Sequence, residues 1–188
     1  MGFLPTWLNP FDVLIGFALL GGVVWGFMHG LVRMALSLLV LYVAAVLAMT
    51  FHVTVGDWVN YLFGLPKLIS EGMAFLLILI LTAAIINFVL HRTYKDTELP
   101  GVRQIDQLVG LIIGFFLTCI WIGLSILALA FFLGTPVTGA ENYRQNLLSY
   151  FRSSRLIPIF YNFLPIALAT LKPWMPKGLP PEIFTFRL

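Results

Sequence analysis

Two acids carry most of the chemical interest of this chain. Asp12 opens the run Asp12-Val13-Leu14-Ile15-Gly16, and Asp106 opens Asp106-Gln107-Leu108-Val109-Gly110. Each heads a glycine-containing apolar stretch. An acid placed there has two uses. It can cap a helix and favour its N-terminal dipole. It can also serve as a proton or cation site inside a membrane, where ionisable side chains are costly. If the run after Asp12 crosses inward and the run after Asp106 outward, the two motifs lie on opposite faces. That is the pattern of an inverted repeat, known in transporters. Asn87 interrupts a third apolar run, where an amide wants a partner on a neighbouring helix. Glu71, at the start of that run, suits the helix dipole.

Other chemistries lack their residue sets. His29, His52 and His91 are read as sitting at helix ends, and their spacing gives no metal site. There is no G-x-S-x-G elbow to pair a serine with a histidine. Ser37 and Ser125 lie in apolar runs, where a hydroxyl bonds back to a helix carbonyl. Cys119 is the single cysteine, so no internal disulfide is possible, and it reads as an inert buried thiol. No catalytic residue, cofactor site or metal site is expected, and the chain is not expected to be an enzyme.

Glycines form the remaining pattern. Gly22, Gly26 and Gly30 recur every fourth residue, and Gly110 pairs with Gly114. That spacing makes a flat helix face on which a second helix can approach closely. The face could serve self-association or packing inside one monomer; the sequence leaves both open.

These residues need elements to hold them, and composition says which. Of 188 residues, 60% are hydrophobic and 10% charged, with a mean hydropathy of +0.98. A soluble fold could not hide that much apolar surface, and disorder needs the opposite composition. The class is an all-α integral membrane protein. A net charge of +3 reflects basic residues flanking spans. No basic run with interleaved aromatics supports nucleic-acid binding.

Charge-free windows place the spans. They hold 16 residues between Asp12 and His29, 18 between Arg33 and His52, 19 between Glu71 and His91, and 34 between Asp106 and Glu141. A spanning helix needs about 20. Four transmembrane helices follow, at residues 9–28, 33–51, 70–90 and 107–133. Together they make a membrane domain over residues 1–134, and residues 135–188 form a proline-rich tail at the membrane interface. Met28–Val32, with Gly30, reads as a hairpin turn. Residues 52–70 read as a link whose Trp58, Tyr61 and Phe63 suit a headgroup-level aromatic belt. Pro100-Gly101 marks a turn.

In the tail, residues 141–152 read as a mixed helix with Tyr143, Leu147 and Phe151 on one face. Residues 156–171 are apolar but carry Pro158 and Pro165. They read as an interfacial or re-entrant helix capped by Ser153 or Ser154. Trp174 reads as an interface anchor. Basic residues near the span ends favour a cytoplasmic location for the first and third connections, which leaves both termini outside.

Three segments together resemble the colicin V production protein (CvpA) family of bacterial inner-membrane proteins. They are Asn9-Pro10-Phe11-Asp12 with Gly22, Gly26-Phe27 and Gly30-Leu31-Val32-Arg33; Ile105-Asp106-Gln107-Leu108-Val109-Gly110 with Gly114; and Ser154-Arg155-Leu156-Ile157-Pro158. The resemblance covers residues 9 to 160. Met28 and His29 depart from it, standing where basic residues are usual, and the tail from Phe160 onward follows no pattern of the family. The resemblance implies a multi-pass inner-membrane protein tied to toxin (colicin V) production or export and to cell-envelope maintenance, with no assigned catalytic residue. Two mechanisms stand beside it. One is a non-enzymatic scaffold that meets the lipid bilayer, further copies of itself or envelope proteins through its tail and glycine faces. The other is a small oligomeric transporter or channel subunit with Asp12 and Asp106 as ion-coupling groups.

Overall fold

The computed structural model describes residues 9–93, 103–134 and 141–169. All regular structure among them is α-helix, in five elements. These are α1 (Pro10–Phe63), α2 (Lys67–Thr93), α3 (Arg103–Gly134), α4 (Glu141–Ser153) and α5 (Ile157–Ala169). The Pro100-Gly101 turn and the proline-rich end with Trp174 lie outside the described residues. Three of the helices, α1 to α3, are long and apolar enough to cross a membrane.

The first helix is two arms. At 54 residues a straight α1 would measure roughly 80 Å, against an apolar bilayer core of roughly 30 Å. Gly30 divides it, with φ 72° and ψ 176°, a conformation essentially reserved for glycine. Neighbours show that the chain reverses there. A β-carbon on Gly22 would meet Thr118, one on Gly26 would meet Gly114 and Gly110, and one on Gly30 would meet Asp106. Numbers rise along the first arm as they fall along α3, so the two run antiparallel. The second arm starts beside Asp106, and its Leu41, Ala45 and Ala48 share a core with Leu117, Ile120 and Leu124 of α3. It runs parallel to α3. Residues 10–29 and 31–63 therefore double back on one another, as the Met28–Val32 turn predicts.

The second arm goes further than the charge-free windows place it. The link expected at residues 52–70 is helical up to Phe63. Nothing between His52 and Phe63 breaks a helix, and Gly56 is held by packing: a β-carbon there would come within 2.8 Å of the Glu71 backbone. His52 consequently stands inside a helix, its Nδ1 2.7 Å from the Met49 carbonyl oxygen, not at a helix end. The stop is Gly64, in the left-handed region at φ 63°. Its N–H donates to the Asn60 carbonyl at 2.8 Å, while Asn60 Nδ2 donates to the Leu65 carbonyl at 2.6 Å. Lys67 then lies 3.7 Å from both Asp57 and Glu71.

Helix α3 is the centre. One side carries Ile15 of the first arm together with Cys119, Ile122, Ile126 and Ala130, and Phe151, Ile157 and Phe160 of α4 and α5 close that cluster. The other side carries the second arm and α2, through Phe75, Leu79 and Leu124. Large apolar side chains face outward along every long helix, among them Phe17, Leu39, Phe88 and Ile112. In water that surface would aggregate; in lipid it is solvated.

Candidate functional site

The glycines seat the first arm on α3 backbone to backbone. A β-carbon on Gly26 would lie 2.5 Å from the Gly110 carbonyl oxygen and 2.9 Å from the Gly114 α-carbon. One on Gly110 would lie 2.6 Å from the Gly26 oxygen, and one on Gly114 2.7 Å from the Gly26 α-carbon. None of the three has room for a side chain, because the obstacle in each case is main chain that cannot swing aside. Gly22 faces Thr118 instead, whose hydroxyl turns back to the Gly114 carbonyl at 2.7 Å. All five glycines of the two patterns thus meet partners inside the monomer.

That close approach brings Asp106 onto the break in α1. Leu31 is the first residue past Gly30, so its N–H stands at the exposed start of a helix. It donates to Asp106 Oδ1 at 3.0 Å. Gly30 leaves the space that the carboxylate fills.

Asp12 plays the same part at the other end of the pair. The turn between α4 and α5 presents Arg155 and Leu156 N–H groups, at 3.2 Å from Asp12 Oδ2 and 3.1 Å from Oδ1. Ser154 Oγ donates to Oδ1 at 2.5 Å and accepts from the Ile157 N–H at 3.2 Å. Ser154 is buried at 5% exposure, and its hydroxyl is satisfied as both donor and acceptor. The sequence places Ser153 or Ser154 as the cap of this helix; Ser154 is the one, and it caps jointly with Asp12.

Each acid caps a helix, yet neither caps the helix it begins. Asn9 is the N-cap of α1, its Oδ1 accepting from the Phe11 N–H at 2.9 Å, with Pro10 at the first helical position. Its Nδ2 donates to the Tyr150 carbonyl at 2.6 Å and to Ser153 Oγ at 2.9 Å. Asn9 therefore ties the start of α1 to the end of α4. It is absent from the candidate residues of the sequence, although an Asn-Pro pair ahead of an apolar run is a readable cap signal.

The exchange is reciprocal. The first arm of α1 carries the carboxylate that starts α5, and α3 carries the carboxylate that starts the second arm of α1. Because the first arm and α3 are antiparallel, the two caps lie at opposite ends of the pair. The two Asp-led motifs thus stand at opposite ends of one antiparallel helix pair.

The remaining polar candidates are dispersed. His29 stacks on Trp25 at 4.2 Å between ring centroids, and Cys119 is buried in the α1–α3–α5 cluster. Among the described residues no three of His, Cys, Asp and Glu gather into a metal-binding group. Ser125 Oγ donates to the Trp121 carbonyl at 2.8 Å, as an apolar setting demands.

No curated protein and no solved structure matches the chain. A family model does: that of the colicin V production protein, over residues 11–165. The matched stretch takes in both Asp-led helices, the Gly30 break and the α4–α5 turn, and the chain belongs to the colicin V production protein family.

Proposed function

We propose that this protein is a non-enzymatic scaffold of the bacterial inner membrane, serving toxin production or export and envelope maintenance. The observation that carries the reading is the employment of its two acids. Asp12 and Asp106 accept from main-chain N–H groups at helix starts. A carboxylate spent on holding backbone is poorly placed to pick up and release an ion. The reading gives the membrane domain four spans, since the arms of α1 on either side of Gly30 count separately. With those spans both termini share a face, the outside. Partners meet the tail and the lipid-facing helices.

The ion-coupling alternative draws on the opposed positions of the same two acids, and one experiment separates the two. Asn retains one cap acceptor but cannot be ionised. Asp12→Asn and Asp106→Asn are expected to leave toxin production intact when they replace the native protein in cells, with insertion checked by membrane fractionation. Loss of the trait in a normally inserted Asn variant would favour ion coupling.

A further inference from the structure

Two arginines flank the join between α4 and α5. Arg152 and Arg155 are exposed on the turn joining α4 and α5, on either side of Ser153 and buried Ser154. Asp12 is the acid held at this turn, and its oxygens are taken by Ser154 Oγ and by the 155 and 156 N–H groups. One carboxylate against two guanidiniums leaves the turn cationic. Arg144 is engaged elsewhere, its Nη1 donating to the Leu133 carbonyl at the end of α3, at 3.3 Å.

The position of the turn is fixed. It is pinned to Asp12 at the start of α1, the end of an apolar helix. There α5 packs against α3, with Ile157 and Phe160 in one cluster with Ile15 and Ile122. Its exposed face carries Ile159 at 60% and Ile166 at 68% exposure, with exposed Asn162 between them. A cationic turn thus adjoins a helix wall on which exposed Ile159 and Ile166 flank Asn162.

We propose that the α4–α5 turn binds the phosphate of an anionic phospholipid, with the acyl chains lying along Ile159 and Ile166. An acidic peptide from solution would use the charge but not the wall; an anionic lipid uses both. Arginine suits the phosphate because its fork of N–H donors matches the oxygens. The proposal rests on the membrane reading above, and is separate from the scaffold role.

The test uses the full chain in bilayer discs of phosphatidylcholine and phosphatidylglycerol. Lipids that stay bound on transfer to mild detergent are weighed by native mass spectrometry. Phosphatidylglycerol is expected to be retained over phosphatidylcholine. Arg152→Gln with Arg155→Gln should weaken that retention roughly 30-fold, from the usual gain per basic residue at an anionic surface. Lys at both positions should restore most of it. Lys67→Gln, which removes a cation already close to Asp57 and Glu71, should change nothing. Circular dichroism checks that each variant keeps its helix. Equal retention of the two lipids, or no effect of the double Gln variant, overturns the proposal. So does displacement of the lipid by inorganic phosphate at matched ionic strength, since an anion site would then suffice. A chain dispersed in detergent-free buffer would instead remove the membrane reading itself.

Discussion

Gly30 answers two constraints at once. Its φ of 72° excludes a β-carbon on conformational grounds, and the Asp106 carboxylate occupies the space that the β-carbon would need. Gly30→Ala should therefore cost more than the usual 1–3 kcal/mol or so of backbone strain, because the cap is pushed off Leu31 as well. Thermal unfolding in detergent, followed by circular dichroism, should show Gly30→Ala melting well below both the native chain and Gly21→Ala. Gly21 has open space around it, so that change tests glycine in general. The sequence makes Gly30 visible as a turn residue and Asp106 as a cap. It does not make visible that one serves the other, 75 positions apart. Capping rules read a few neighbouring residues, and here the helix start is satisfied across the fold.

At the scale of elements, α5 is held by few polar ties. Asp12 supplies three of the contacts that start it, and Asn9 secures the end of α4 just before. Removing the carboxylate should loosen this helix while leaving the glycine-packed pair of α1 and α3 in place. In a chain with Cys119→Ala and Ile157→Cys, the new thiol stands where Ile157 is 3% exposed. A thiol reagent should modify it several-fold faster after Asp12→Ala, in keeping with about 1 kcal/mol for a lost cap, and little faster after Asp12→Asn. An unchanged rate in the Ala variant would show that apolar packing alone holds α5. Periodicity and charge-free windows locate this helix and the three long ones well. They fail at the ends. The second arm of α1 persists to Phe63 with Gly56, a weak helix former, packed against Glu71, and a tertiary contact of that kind leaves no mark in local sequence.

For the whole molecule, the directions of the helices fix which ends meet. The starts of α1 and α5 and the Gly64 turn share one end of the bundle; the Gly30 break and the start of α3 share the other. A reporter fused after Lys95 should be active in the cytoplasm, and one fused after Arg187 outside, as assayed with enzymes that work on only one side of the membrane. Cytoplasmic activity from the Arg187 fusion would reverse the orientation. The class and the reversal at Gly30 are legible from hydropathy and a single glycine. The orientation is written faintly, because this chain has few basic residues and several of them hold helix ends or acids in place, as Arg144 and Lys67 do.

The reciprocal caps also set a timetable for biosynthesis. When Asp106 leaves the ribosome, Leu31 has already been made, so that carboxylate can close on its helix at once. Asp12 must wait for Ser154, 142 residues later. At roughly 5–20 residues per second the delay is roughly 7–28 s. Throughout that interval the Asp12 carboxylate lacks the α5 N–H groups and the Ser154 hydroxyl that it later holds. The glycine seat on α3 can therefore form well before the Asp12 cap closes.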